Sequence, residues 1–167
     1  TLQGFQLWIN MPSKLKMSKP NYTYIDSKEM KSYKDEDKIV KVIAGKFKNA
    51  EGLIKKHNIE PIYLDIELNK KKTFNYELPL SHNSFIYLIK GKIKIGNIDH
   101  QEVENSKLIL LDKGSKLNVY ATTNTKFLFI AGKPIDEKIA RGGPFVMNTR
   151  QEILQAVEDY HKGTFVK

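Results

Sequence analysis

Residues Ser84–Gly96 read SFIYLIKGKIKIG. Phe85 to Ile89 is a continuous apolar run, the pattern of a strand buried on both faces. Beyond Gly91 the residues alternate strictly through Lys92, Ile93, Lys94 and Ile95, the pattern of a strand with one wet face. Lys90-Gly91 between two β-rich runs is a bend or hairpin signal, because glycine takes backbone angles that other residues avoid. The stretch predicts two antiparallel strands of a sandwich or barrel.

The flanking sequence supplies further strands. Ile39–Ala44 (IVKVIA) is a strand candidate closed by Gly45, and Asn49–Asn58 reads equally as one helical turn or an irregular loop. Ile62–Leu68 (IYLDIEL) alternates, with Ile62, Leu64, Ile66 and Leu68 inward and Tyr63, Asp65 and Glu67 outward. Asn69–Lys72 is a polar turn, and Thr73–Leu80 is extended, with Pro79 marking an end or edge. Lys107–Leu111, the turn Asp112-Lys113-Gly114, Lys116–Tyr120 and Lys126–Ala131 complete the set, stopped by Gly132 and Pro134. Strands at this spacing predict an all-β sandwich or barrel.

The two ends read differently. Gly4–Pro12 (GFQLWINMP) predicts a short strand with Phe5, Leu7 and Ile9 on one face, and it carries Trp8, the one tryptophan. From Pro12 to about Asp37 the periodicity fades into Pro, Ser, Asn, Lys and Asp, which predicts a linker. At the other end Thr149-Arg150-Gln151-Glu152 has the spacing of a capping box. Ile153, Leu154, Val157 and Tyr160 then recur at helical spacing, and Gly163 ends an amphipathic helix of about three turns. Phe5–Pro12 also echoes Phe127–Pro134, an aromatic-led apolar run ending in proline, as if each closed one of two similar domains.

Composition bounds the function. The 167 residues suffice for one good core, and 40% apolar with 28% charged residues fits a globular chain. No apolar run approaches the roughly 20 residues that span a bilayer, no signal-peptide pattern opens the chain, and no membrane partner is expected. With no cysteine there is neither a disulfide frame nor a thiolate metal site, so an intracellular protein is the expectation. The first residue is Thr1 and not methionine, which fits a processed product or a fragment. The net charge of +9 raises nucleic acid as a partner, but Arg141 and Arg150 are the only arginines. Lysine attracts phosphate without the bidentate contacts that read bases, so weak, non-specific binding is expected at most. The runs Lys55-Lys56 and Lys70-Lys71-Lys72 read as solvated loops.

Several of these stretches resemble the pirin family. GFQLWINMP, followed by Lys16-Met17 and Pro20-Asn21-Tyr22, looks like its inter-domain junction. YLDIEL (Tyr63–Leu68), SFIYLIKGKIKIG (Ser84–Gly96), FIAGKP (Phe129–Pro134) and GGPFVMNTRQEI (Gly142–Ile153) resemble its C-terminal half in the right order, GPFVMNT being the most specific. Pirins are bicupins, each domain a jelly-roll β-sandwich, with one iron site in the N-terminal cupin held by three histidines and one glutamate. Some bacterial members oxidise quercetin with dioxygen, and the mammalian protein is a nuclear transcriptional co-regulator.

The resemblance implies that residues 1–12 are the last strand of a truncated N-terminal cupin, 13–38 a linker, 39–135 the C-terminal cupin, and 136–167 an extension with the C-terminal α-helix. It also places all four iron ligands before Thr1. A cupin metal motif wants H-x-H, then a glutamate shortly before the strand-bend glycine. The corresponding stretch, Glu77-Leu78-Pro79-Leu80-Ser81-His82-Asn83-Ser84, has one histidine, and Lys116–Thr125, where a second motif would fall, has none. No catalytic, cofactor-binding or metal residue is therefore expected in this chain, and iron is expected in the missing N-terminal cupin.

The sharper readings weigh less than the bland ones. His82 with Glu77 would make a residual metal site, but two donors are too few, and a turn histidine is more often a surface group. His57, His100 and His161 show no ligand spacing. Glu77 and Asp65 as an acid/base pair is outweighed by Asp65 being a solvated carboxylate on an outward face. Two functions remain. One is the metal-free structural half of a quercetin 2,3-dioxygenase-like protein, and the other is half of a regulatory protein meeting protein or nucleic acid. The expected partner is the chain's own N-terminal cupin or a second copy, since Phe5, Leu7, Trp8, Ile9 and the helix stripe need cover; a dimer follows. A cytoplasmic location is expected, or the nucleus for a eukaryotic member.

Overall fold

In a computed structural model describing residues 4–54, 58–96 and 102–166, the alternating stretch Ile62–Leu68 is a strand. Ile62, Leu64, Ile66 and Leu68 are buried and Tyr63, Asp65 and Glu67 take the other face, as the period of two requires. In chain order the strands are β1 (Ser32–Lys34), β2 (Lys38–Ala44), β3 (Lys46–Phe47), β4 (Ala50–Glu51), β5 (Ile62–Leu68), β6 (Thr73–Glu77) and β7 (Asn83–Lys90). There follow β8 (Lys92–Ile95), β9 (Val103–Glu104), β10 (Lys107–Leu111), β11 (Lys116–Ala121), β12 (Thr125–Gly132), β13 (Ala140–Gly142) and β14 (Phe145–Met147), and then the helix α1 (Arg150–His161). The chain divides into two units, Tyr24–Pro134 and the two chain ends, Thr1–Thr23 with Ile135–Lys167.

Tyr24–Pro134 is an antiparallel β-sandwich. A six-stranded sheet runs β1-β2-β5-β12-β7-β10 and a four-stranded sheet runs β6-β11-β8-β9. The register aligns buried side chains into rows across the larger sheet: Val40, Ile66, Phe127 and Leu88 in one, Val42, Leu64, Phe129 and Ile86 in the next. Phe74, Ile93, Leu117 and Val119 of the smaller sheet belong to the same core. Phe74 meets Phe127 edge-to-face, with ring centroids 5.8 Å apart, so the two sheets lock through aromatic packing. Each large side chain removed from water contributes about 1.5–3 kcal/mol.

Gly91 is a corner and not a hairpin. β7 lies in the six-stranded sheet and β8 in the four-stranded one, so the two strands do not pair and the chain changes sheet between them. Gly91 makes that step with φ +93°, a region that L side chains avoid. Thr123 and Thr125 hold the corner: the Lys92 amide donates to Thr123 Oγ1 at 2.9 Å, and the Thr125 hydroxyl donates to the Thr123 carbonyl at 2.8 Å. The run Phe85–Ile89 is also not buried on both faces. Ile86 and Leu88 are fully buried, but Phe85, Tyr87 and Ile89 alternate onto the face of the sheet turned away from the core and are half-buried.

The structure departs from the sequence reading elsewhere too. Residues 32–38, expected in a linker, hold β1 and the turn into β2. Asp35 Oδ1 accepts from the amides of Asp37 and Lys38 at 2.9 and 2.8 Å, so the acidic run is a turn device. Asn49–Asn58 is neither left irregular throughout nor helical among its described residues; β3 and β4 form a tight hairpin with Phe47 and Ala50 buried. Gly4–Pro12 carries no strand in this chain: among the described residues no strand pairs with it.

In the unit made of the chain ends, β13 and β14 form a hairpin that the sequence reading missed. The helix begins as expected. Thr149 Oγ1 accepts from the Glu152 amide, while Glu152 Oε2 accepts from the Thr149 amide at 2.8 Å, completing the capping box. Its apolar stripe differs: Ile153 and Ala156 are buried against Met147, Phe145 and Phe165, whereas Leu154 and Tyr160 are exposed. The buried face follows Ile153 and Ala156, three positions apart, and so takes in a small residue that the larger apolar side chains obscure. No helix among the described residues is long and apolar enough to cross a membrane.

Candidate functional site

His82 is the histidine nearest the place where a cupin would bind metal, and it is not a surface group. It is 2% exposed, at the turn before β7, with its amide donating to the Pro79 carbonyl at 3.0 Å. Its Nε2 lies 3.0 Å from the Glu60 carbonyl oxygen, which can only accept, so Nε2 carries the proton. Nδ1 faces Ser81 Oγ at 3.4 Å. The imidazole thus ties the β6–β7 connection to the segment before β5. A turn histidine is exposed when nothing behind it accepts its N–H; here the Glu60 carbonyl does.

His82 borders a cavity of about 550 Å³ in the sandwich, together with Tyr76, Glu60, Glu51 and Lys46. Tyr76 donates to the Lys46 carbonyl at 3.0 Å, and burial pushes its phenol above the ordinary range. Iron of the cupin type needs several imidazole and carboxylate donors converging on an open position. The residues present do not fit it. His82 has committed Nε2 to a carbonyl, and Pro79 and Leu80 occupy neighbouring motif positions without donors. Among the described residues, no three histidine, aspartate or glutamate side chains gather as a metal group.

The other candidates are dispersed. Glu77, on β6 in the smaller sheet, is exposed and faces Lys116 of β11 in the register. Asp65, on β5 in the larger sheet, lies on its outer side, so the two carboxylates are not brought together as an acid/base pair. Nor is Asp65 freely solvated. Its Oδ2 is 3.6 Å from Lys126 Nζ, and its Oδ1 is buried without a hydrogen-bond partner. Lys126 also donates to Glu67 at 3.0 Å, and that bond first, then the Asp65 charge, holds its ammonium above the usual range against partial burial. His161 ends α1 on the surface, and His57 and His100 lie outside the described residues.

The unit of the chain ends carries polar anchors that the sequence reading did not single out. Lys16 donates to Asn10 Oδ1 and to the Val146 carbonyl, at 2.5 and 2.9 Å. Glu137 accepts from the Ser13 amide at 2.8 Å and from Asn148 Nδ2 at 2.9 Å, and the Ser13 amide first of all lowers its carboxyl pKa. These bonds join the first and last parts of the chain beside an apolar cavity of about 620 Å³ bordered by Trp8, Phe145, Tyr160 and Phe165. Lys16 and Asn148 stand in two of the motif stretches, KM and GPFVMNT. Their place in those motifs was the one signal available.

The family model of the Pirin C-terminal cupin domain matches residues 63–166. A pirin-like protein of Caulobacter vibrioides is 32% identical over 166 residues, covering 98% of this chain and 59% of that protein. Pirin of Homo sapiens is 33% identical over 160 residues, covering 94% and 55%. Among solved structures, a quercetin 2,3-dioxygenase from Acinetobacter baumannii superposes with a TM-score of 0.85 at 29% identity, covering 95% of this chain and 55% of that one. The chain spans a little over half the length of these relatives.

Proposed function

The chain belongs to the pirin family, in the part occupied by the C-terminal cupin, and from that premise we propose that it is the metal-free structural half of a quercetin 2,3-dioxygenase-like protein. In this reading the iron and the oxidation of quercetin belong to an N-terminal cupin preceding Thr1. One observation carries the proposal: the likeness at TM-score 0.85 to a quercetin 2,3-dioxygenase, spread over 95% of this chain yet only 55% of the other. The donor set agrees with it, since the one histidine at the cupin motif position spends its Nε2 proton on a backbone carbonyl. The sandwich then acts as a rigid body, and chemistry is left to the other half.

The test compares this chain with the protein extended upstream, both purified with iron. The chain alone is expected to hold far less than one iron and to leave quercetin untouched. The extended protein is expected to hold about one iron and to consume quercetin with dioxygen. Stoichiometric iron on this chain that disappears in His82→Ala would overturn the metal-free assignment. An iron-loaded extended protein that does not turn over quercetin would overturn the dioxygenase reading and favour a regulatory one.

A further inference from the structure

Sheet edges need protection, because unpaired N–H and C=O groups invite another strand. Among the described residues, three of the four edges of the sandwich have it. β1 is three residues long, with Lys34 at its end; β9 is two residues, with Glu104 paired to Lys92; and β6 exposes the polar Asn75 and Glu77. The fourth edge, β10, is different. It runs five residues, Lys107-Leu108-Ile109-Leu110-Leu111, with Leu108 59% and Leu110 78% exposed.

We infer that β10 is a self-association edge, at which two copies of this chain pair β10 with β10, antiparallel about a two-fold axis, into one continuous sheet. A two-fold pairing that keeps each sheet face continuous must set residues of equal parity opposite each other. Centred on Ile109, it sets Ile109 against Ile109, Leu108 against Leu110 and Lys107 against Leu111, using all five residues of the strand. Moving the centre to Leu110 or Leu108 leaves three residues paired, and the first of these also sets Leu108 against Asp112. One register is therefore preferred.

Charge and packing favour a second copy in that register. The two Lys107 side chains fall at opposite ends of the pair, roughly 14 Å apart at strand rise, which exceeds the screening length of about 8–10 Å. On the outer face Leu108 and Leu110 already stand in rows with Tyr87 and Leu128, and with Phe85 and Ile130. The partner's Leu110 and Leu108 would extend each row by one cross-strand contact, covering the two leucines that water now reaches.

Sedimentation equilibrium of the full chain tests this, with Leu110→Lys and Trp8→Ala as variants. Leu110 is exposed, so its lysine variant should fold, and circular dichroism checks that it does. The wild type is expected to dimerise. Leu110→Lys, which places a lysine in two of the cross-strand pairs, should weaken the dimer by on the order of tenfold or more, and Trp8→Ala should leave it unchanged. Amide exchange of β10 should slow as concentration rises in the wild type and not in Leu110→Lys. A wild type that stays monomeric up to about 0.1 mM would overturn the inference. So would a dimer insensitive to Leu110→Lys, or one lost in Trp8→Ala.

Discussion

Gly91 shows how much one residue decides. A Cβ there would lie 2.6 Å from the Asn124 carbonyl oxygen and 2.9 Å from Thr125 Cα, and backbone cannot give way as a side-chain tip can. The φ of +93° adds strain for any L side chain. Gly91→Ala is therefore expected to destabilise the sandwich by at least about 1–3 kcal/mol, read as a lower midpoint in urea at unchanged m-value. An unchanged midpoint would mean that the corner relaxes freely. The sequence made this glycine legible as a break but not as a change of sheet, since a hairpin and a corner ask the same freedom of one residue. His82 was misjudged for a related reason: what buries it is a carbonyl 22 positions away, and no local pattern announces that partner.

At the scale of elements, legibility followed periodicity. β5 was read with its bounds and both faces because seven alternating residues have one consistent solution. β1, β3, β4, β9, β13 and β14 escaped because two or three residues hold no period, and their stability comes from the neighbours they pair with. The helix start was legible from chemistry alone. Both halves of the capping box are formed, so Thr149→Ala removes one and leaves an orphan amide at the first turn. The expected cost is about 1 kcal/mol, with the loss concentrated in amide exchange of Arg150–His161. Thr149→Ser, which keeps the acceptor, should restore most of it; a serine variant as weak as alanine would show that methyl packing matters more than the cap. Of the candidate site, the position of His82 was legible but not its burial, and the bonds of Glu137 to Ser13 and of Lys16 to Val146 were hidden because those partners lie more than 120 positions away.

For the molecule as a whole the open quantity is charge. A net charge of +9 would suit a nucleic-acid surface, but the structure commits lysines elsewhere. Lys38 pairs with Asp35, Lys72 with Asp37, Lys92 with Glu102 and Glu104, Lys126 with Asp65 and Glu67, and Lys162 with Glu158. These pairs lie on both sheets and on the helix, so the positive charge is spread and partly answered locally. With Arg141 and Arg150 the only arginines, bidentate reading of guanine has few residues to draw on. The chain is expected to bind duplex DNA with a dissociation constant no tighter than about 10⁻⁶–10⁻⁴ M at physiological salt. Affinity should fall linearly on a log–log plot of binding constant against salt, with a slope of about −0.9 per phosphate contacted, and equally for unrelated sequences. Fluorescence anisotropy with two labelled duplexes of different sequence, titrated across salt, measures both quantities. If one duplex binds tighter by orders of magnitude at physiological salt, the lysines form a recognition surface after all. A shallow slope with no preference would instead leave them as the solvated coat of a sandwich whose contacts are made by strands and apolar edges.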